Sequence, residues 1–347
     1  MGNADRLGKL KDDLAALAPQ PQTVDHEPAP APTQNRGRTA GHPAQIPAPG
    51  WKDILVRAWG EVSENNIFLV SGGVTYAVLL ALFPALAALV SIYGLLLDPA
   101  EVERQVDALS NVLPPESTQM IAAQLHRLVT ASGGSLGVSA VVALLFALWS
   151  ASRGMSGMIT ALDIAYQQKE TRGFFKLNLI AIGLTVLALI GGTVSIALVG
   201  VLPAAIQLIG LGADVQWMVM ALEWPLLVLW VMTGLAVLYR YAPNRTTARW
   251  RWVSPGALIA TVLWIAGSIG FSIYVTHFNS YDRTYGSLGG VVIMLTWLYL
   301  SAFAALFGAI INAQAERQTI ADSTVGSPKP MGSRRAYAAD TVGETPG

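Results

Sequence analysis

Cleavage of a phosphodiester or peptide bond needs clustered carboxylates, a metal-ligand set, or a nucleophile beside its base. No such spacing is visible in this chain of 347 residues. Cysteine is absent, which removes thiolate nucleophiles, disulfides and cysteine-bound metals. Of the four histidines, His26 and His42 fall in an N-terminal tail. His126 and His277 fall in two loops expected on one side of a membrane, and two surface histidines are the plainer reading than a shared metal or pH site. Gly286-Ser287-Leu288-Gly289-Gly290 lacks the GK[ST] ending and the preceding strand of a phosphate loop. Its small residues, with Ala305, Gly308 and Ala309, are read as a helix-packing surface. Charge inside apolar sequence is the better signal, because it is costly and usually functional. Glu223 lies six residues into an apolar segment, about 9 Å deep at ~1.5 Å per residue, two residues before Pro225. Its bland alternative is a carboxylate that reaches headgroup water. Arg153 and Arg240 are placed at helix ends, where they snorkel to lipid phosphates and complement helix C-termini.

The elements that carry these residues are membrane spans. Hydrophobic residues make up 53% of the chain and charged residues 13%, against about 25% charged in a soluble domain. Runs of about 20 apolar residues, enough to cross a bilayer as helices, recur between Val74 and Ala315. The expected fold is therefore all-α: a polytopic membrane protein with six spans and additional amphipathic interfacial helices. The spans are read at about 74–97, 136–151, 177–199, 217–239, 254–275 and 288–313. Pro84 and Pro225 bend the first and fourth spans, and Pro255 is read as the favoured first-turn proline of the fifth.

Around this membrane domain, 51–316, residues 1–50 and 317–347 are read as disordered cytoplasmic tails, the first rich in proline and alanine. No apolar h-region marks a cleaved signal peptide. Trp51 to Phe68 is read as an amphipathic surface helix, with Ile54, Leu55, Ala58, Val62 and Ile67 on one face and Lys52, Asp53, Arg57, Glu61 and Glu64 on the other. A polar excursion to Leu136 is read as a helical hairpin. In the stretch from Trp149 to Lys176, Met155, Ile159, Leu162 and Tyr166 recur at helical spacing, while Asp163, Gln167, Lys169 and Glu170 are read as facing away. Gly154 and Gly157 are expected to let that helix flex where it leaves the bilayer. Of the 22 lysines and arginines, all but Arg104, Arg127 and Arg283 fall on one side, so both termini are expected in the cytoplasm. A net charge of zero gives no basic field for nucleic acid.

Three blocks carry a resemblance: GGVTYAVLLALFPAL (72–86), LWSASRGMSGMITALDIAY through ETRGFFK (148–176), and LYRYAPN through WVSPGALIATVLW to YGSLGGVVIMLTWLYLSAFAALFGAIINAQAE (238–316). Together they resemble the YihY/virulence factor BrkB family of bacterial inner-membrane proteins, over about Trp51 to Glu316. Ala81 departs from a serine and Ile310 from an acid found in relatives. The resemblance implies six helices in the inner membrane. It also brings an old label, tRNA-processing ribonuclease, and a link of some relatives to movement of lipid or lipid A and to serum resistance. The resulting expectation is a non-enzymatic transporter, or transport component, for lipid or other envelope amphiphiles. A structural protein that binds envelope partners is the alternative, and a ribonuclease the second. Arg153, Gly154, Gly157, Glu223, Pro84, Pro225, Tyr285 and Gly286 form the candidate functional set. Membrane lipids, with envelope proteins as further candidates, are the expected partners. No catalytic residue, cofactor or metal is expected.

Overall fold

The computed structural model describes residues 36–96, 136–196, 213–277 and 289–346. The expected hairpin before Leu136, together with His126, Tyr285 and Gly286, lies outside them. The helices are α1 (Ala48–Glu64), α2 (Ile67–Leu96), α3 (Leu136–Ala165), α4 (Phe174–Ile196), α5 (Ala213–Tyr241), α6 (Trp250–His277), α7 (Gly289–Glu316) and the short α8 (Tyr337–Asp340). Five are long and apolar enough to cross a membrane: α2 over Ile67–Leu86, α4 over Phe174–Ser195, α5 over Trp224–Tyr241, and α6 and α7 over their full lengths. The remaining expected span, 136–151, is the first half of α3.

From α2 to α7 each helix packs on the next in chain order, and α7 returns to α2, so the six close into a ring. Helix α7 is the hub, touching α1, α2, α3, α6 and α8. Its sequence explains this role. From Ala302 to Glu316 almost every residue is buried, and the small residues Ala302, Ala304, Ala305, Gly308 and Ala309 admit neighbouring backbones. Helix α2 runs unbroken through Pro84, and α5 through Pro225.

Several sequence expectations are corrected. Helix α6 begins at Trp250, so Pro255 sits inside it rather than in its first turn. Helix α3 passes through Arg153 to Ala165, so Arg153 is not at a helix end. Helix α1 turns Ile54, Ala58 and Val62 inward as expected, but Asp53 and Glu61 are buried too, whereas Leu55, Val56 and Trp59 are exposed. Its acids satisfy buried cations, which a surface-lying amphipathic pattern did not anticipate.

The expected tails are corrected only where they are described, over 36–50 and 317–346; residues 1–35 lie outside the described residues. Residues 36–50 form a Gly37 turn, a 3-10 turn at Pro43–Gln45 and the start of α1. Residues 317–346 fold back over the bundle. Arg334 is buried and donates to the carbonyl oxygens of Ala339, Ile320 and Lys329. Asp340 accepts the Gly332 and Arg334 amides. Backbone carbonyls and short polar side chains thus replace the missing apolar core, which is why low hydropathy read as disorder. The two ends of the described chain meet: Ile320 donates to the Arg38 carbonyl, and Arg38 to Thr345.

Candidate functional site

The buried charged residues of the described structure gather at one end of the ring, where α1, α3, α6 and α7 meet the 242–249 loop and the C-terminal segment. Arg245 and Glu316 form its centre. Their side chains are 1% and 0% exposed and pair through two bonds of 2.8 and 2.6 Å. Ser323 donates to the same carboxylate, and the Arg245 guanidinium lies 5.2 Å over the Tyr166 ring. Burial pushes the Tyr166 hydroxyl up, and the Glu316 charge holds the buried Arg245 protonated against the pull of burial.

A second cluster flanks it. Glu61 accepts from Gln167, Gln314, Arg317 and Asn65, and Asp53 accepts both bonds of Arg36. Arg57 donates to Gln314 and Gln318. Burial, and then the neighbouring Arg38 and Arg317, bring Arg57 down to about 10.

Asp163, expected on the outer face of α3, points inward and is buried. One oxygen accepts the Asn244 amide at 2.7 Å, and the other lies 3.9 Å from Arg172, which is itself held by Glu170. Asn244 in turn donates to the Lys169 carbonyl and to Thr171, tying the 242–246 turn to the loop after α3. Burial pushes the Asp163 carboxyl up to about 6, against the Asn244 amide; Glu170 adds to the rise and Arg172 opposes it. The folded chain therefore binds more protons than the unfolded chain between pH 3.8 and about 6, and stability falls as pH rises through that window. Asp163→Asn is expected to remove that fall, gaining ~1–2 kcal/mol on wild type between the two ends of the window in thermal unfolding.

Of the sequence candidates, Gly154 and Gly157 come together with α2. A Cβ on Gly154 would stand 2.6 Å from the Ala81 Cβ, and one on Gly157 2.9 Å from the Ala77 Cβ. Their role is close approach, which gives a reason other than flexing for both glycines and for the small Ala81. Gly154→Ala is expected to cost ~1–3 kcal/mol through overpacking, measured as a lowered midpoint of thermal unfolding in detergent. Arg153 is exposed, stacks 4.6 Å over Trp149 and donates to Asn178 at 3.0 Å. Glu223, Pro225 and Pro84 lie along other helices, and the structure does not gather them with the cluster; of Glu223 the backbone alone is described. Ile310 is fully buried in α7. Among the described residues no group of three or more His, Asp or Glu is placed to hold a metal.

At the other end of the ring α6 and α7 part. Near the polar cluster they touch through Gly256 and Gly308, and midway two tryptophans take over. Trp264 of α6 donates to Ser301 of α7 at 3.0 Å, and Trp297 of α7 donates to Ser268 of α6 at 3.2 Å. Beyond them lies a cleft of about 440 Å³, with Ser268, Ser272 and Thr276 on one wall and Gly290, Ile293, Met294 and Trp297 on the other. Along the pair, contact thus passes from glycine backbone at Gly256 and Gly308 to the tryptophan side chains Trp264 and Trp297. Gly290 lines the cleft with nothing near its Cβ position, so of the expected small-residue surface Gly308 packs and Gly290 does not.

The comparisons agree with this architecture. Residues 58–331 match the family described as virulence factor BrkB. The chain is 32% identical to the putative ribonuclease-like protein YfkH of Bacillus subtilis over 70% of its own length and 88% of that protein. It is 28% identical to a UPF0761 membrane protein of Alteromonas mediterranea, covering 76% and 87%, and 26% to one of Tolumonas auensis, covering 74% and 82%. No solved structure matches. With five helices long and apolar enough to cross a membrane among the described residues, and a family match over most of its length, the chain belongs to the virulence factor BrkB family of multi-pass bacterial membrane proteins.

Proposed function

We propose that the protein moves lipid or another envelope amphiphile, and that the cleft between α6 and α7 receives the polar part of its cargo. The observation that carries this reading is the hydroxyl stripe Ser268, Ser272 and Thr276 facing Trp297 in an otherwise apolar cleft. A wall of hydroxyls beside an indole suits a molecule with a polar head and an apolar body. What supports a non-enzymatic reading is that three of the buried carboxylates are held by arginines, Glu316 by Arg245, Glu61 by Arg317 and Asp53 by Arg36, while the fourth, Asp163, accepts the Asn244 amide with one oxygen only. The name of the Bacillus subtilis relative keeps a ribonuclease as the rival reading.

Because the chain has no cysteine, Ser272→Cys gives one thiol in the cleft. In vesicles holding the purified chain, a labelled lipid is expected to change leaflet faster than in empty vesicles. A bulky maleimide on Cys at position 272 is expected to stop that movement, and the same label on Leu229→Cys, on the exposed side of α5, to leave it intact. No movement in any lipid mixture, or no effect of the cleft label, counts against the proposal.

A further inference from the structure

We propose that Arg153, Trp149 and Asn178 form a binding site for the phosphate of an anionic phospholipid, at the boundary between the apolar and polar halves of α3. Along α3 the exposed residues are apolar up to this point: Val141, Val142, Leu145, Phe146 and Trp149. Arg153 ends the series, and beyond it the helix enters the buried polar cluster. On the neighbouring helix Leu179, the residue after Asn178, is 72% exposed and continues the apolar surface away from the polar end, while Phe175, 87% exposed, lies one turn nearer that end. The arginine therefore stands at the head of an apolar wall, where acyl chains lie below and a phosphate above.

The guanidinium is held in place before any ligand arrives. Its plane stacks 4.6 Å from the Trp149 ring, and Nη2 donates to Asn178 Oδ1 at 3.0 Å. Asn178 is itself oriented, because its Nδ2 donates to the Phe174 carbonyl at 2.7 Å. Among the described residues no carboxylate lies within 4.0 Å of Arg153. This contrasts with Arg36, Arg172, Arg245, Arg317 and Arg334, each of which has an acidic partner. Among the described residues Nε and Nη1 have no protein acceptor; each flanks Nη2 on one of the two donor edges of the guanidinium, so a phosphodiester oxygen can accept from either. Lys176 is exposed on the first turn of α4 and adds a second positive charge on that helix. Two positive charges, Arg153 and Lys176, beside an apolar surface attract a phosphodiester and repel a headgroup ammonium, which favours an anionic phospholipid over a zwitterionic one. The site needs no transport to operate and stands apart from the α6–α7 cleft.

The test uses the purified full chain in nanodiscs made with equal phosphatidylglycerol and phosphatidylcholine, with the lipid retained on extraction measured by mass spectrometry. Phosphatidylglycerol is expected to be retained over phosphatidylcholine. Arg153→Gln is expected to lower that preference about fivefold, with Lys52→Gln, on α1, unchanged and Arg153→Lys intermediate. Should Arg153→Gln not purify, Trp149→Leu removes the stack, leaves the charge and is expected to weaken the preference. Equal retention of the two lipids, an undiminished preference in Arg153→Gln, an equal loss in Lys52→Gln, or displacement of the lipid by millimolar inorganic phosphate would each overturn the assignment.

Discussion

Glu316→Ala is expected to lower the stability of the protein by ~3–5 kcal/mol, the usual cost of leaving one member of a buried ion pair alone. Arg245 would keep its charge in a site where its side chain is 1% exposed, between the Tyr166 ring and the C-terminal segment. Ser323 would lose its acceptor in the same change. Arg245→Ala is expected to do comparable harm from the other side. The paired replacement Arg245→Met with Glu316→Leu separates charge loss from packing: it is expected to recover most of the loss, because apolar residues of similar volume carry no desolvation cost. Thermal unfolding in detergent measures all three. A double variant as unstable as either single one would show that the geometry of the pair, and not its charge balance, holds this end of the bundle.

Gly256→Ala and Gly308→Ala are expected to be nearly as damaging, each by overpacking in excess of the usual ~1–3 kcal/mol. A Cβ at Gly256 would sit 2.0 Å from the Gly308 carbonyl oxygen and 2.5 Å from Asn312 Cγ; one at Gly308 would sit 2.5 Å from the Gly256 carbonyl oxygen. At each glycine the nearest obstacle is a backbone carbonyl, so the helices must separate. Separation breaks the Asn312 bridge, which accepts the Gly256 amide at 2.7 Å and donates to the Val253 carbonyl at 3.1 Å. It also strains the bond from Tyr239 to the Ala305 carbonyl. Asn312→Leu is expected to leave the Gly256 amide buried without its partner and to destabilise the same contact by ~1–3 kcal/mol. Loss of the folded, monodisperse protein on size exclusion in the glycine variants checks the first expectation. Normal melting of Gly256→Ala would refute the close contact.

The membrane elements were legible in the sequence because their signal is length and apolarity, both local. Helix α7 was expected at 288–313 and runs Gly289–Glu316; α4 was expected to begin at 177 and begins at Phe174. The polar end was not legible, for a physical reason. Periodicity assigns charged residues to water, so Asp53, Glu61 and Asp163 were placed outward. Their partners (Arg36, Arg317 and the Asn244 amide) come from distant parts of the chain, and only the folded structure supplies them. Pro255 misled in the same way: a first-turn proline is a sound local rule, but Trp250 and Trp252 open the helix one turn earlier, Trp252 being fully buried. The glycines of α3 were expected to let the helix flex, whereas the contact they make, with Ala77 and Ala81, lies on another helix and is not readable from spacing.

The meeting of the two chain ends sets an order of manufacture. Glu61 and Arg57 are made early and enter α1 long before Gln314, Arg317 and Gln318 leave the ribosome. Until then the early helices carry acids and an arginine without their final partners, so the bundle cannot lock helix by helix as it is inserted. It closes last, when α7 arrives as a hub and the segment behind it seals the charges. A chain interrupted before that segment would carry its membrane helices yet lack their fastening, and a cell's quality control would meet it as an unfinished product.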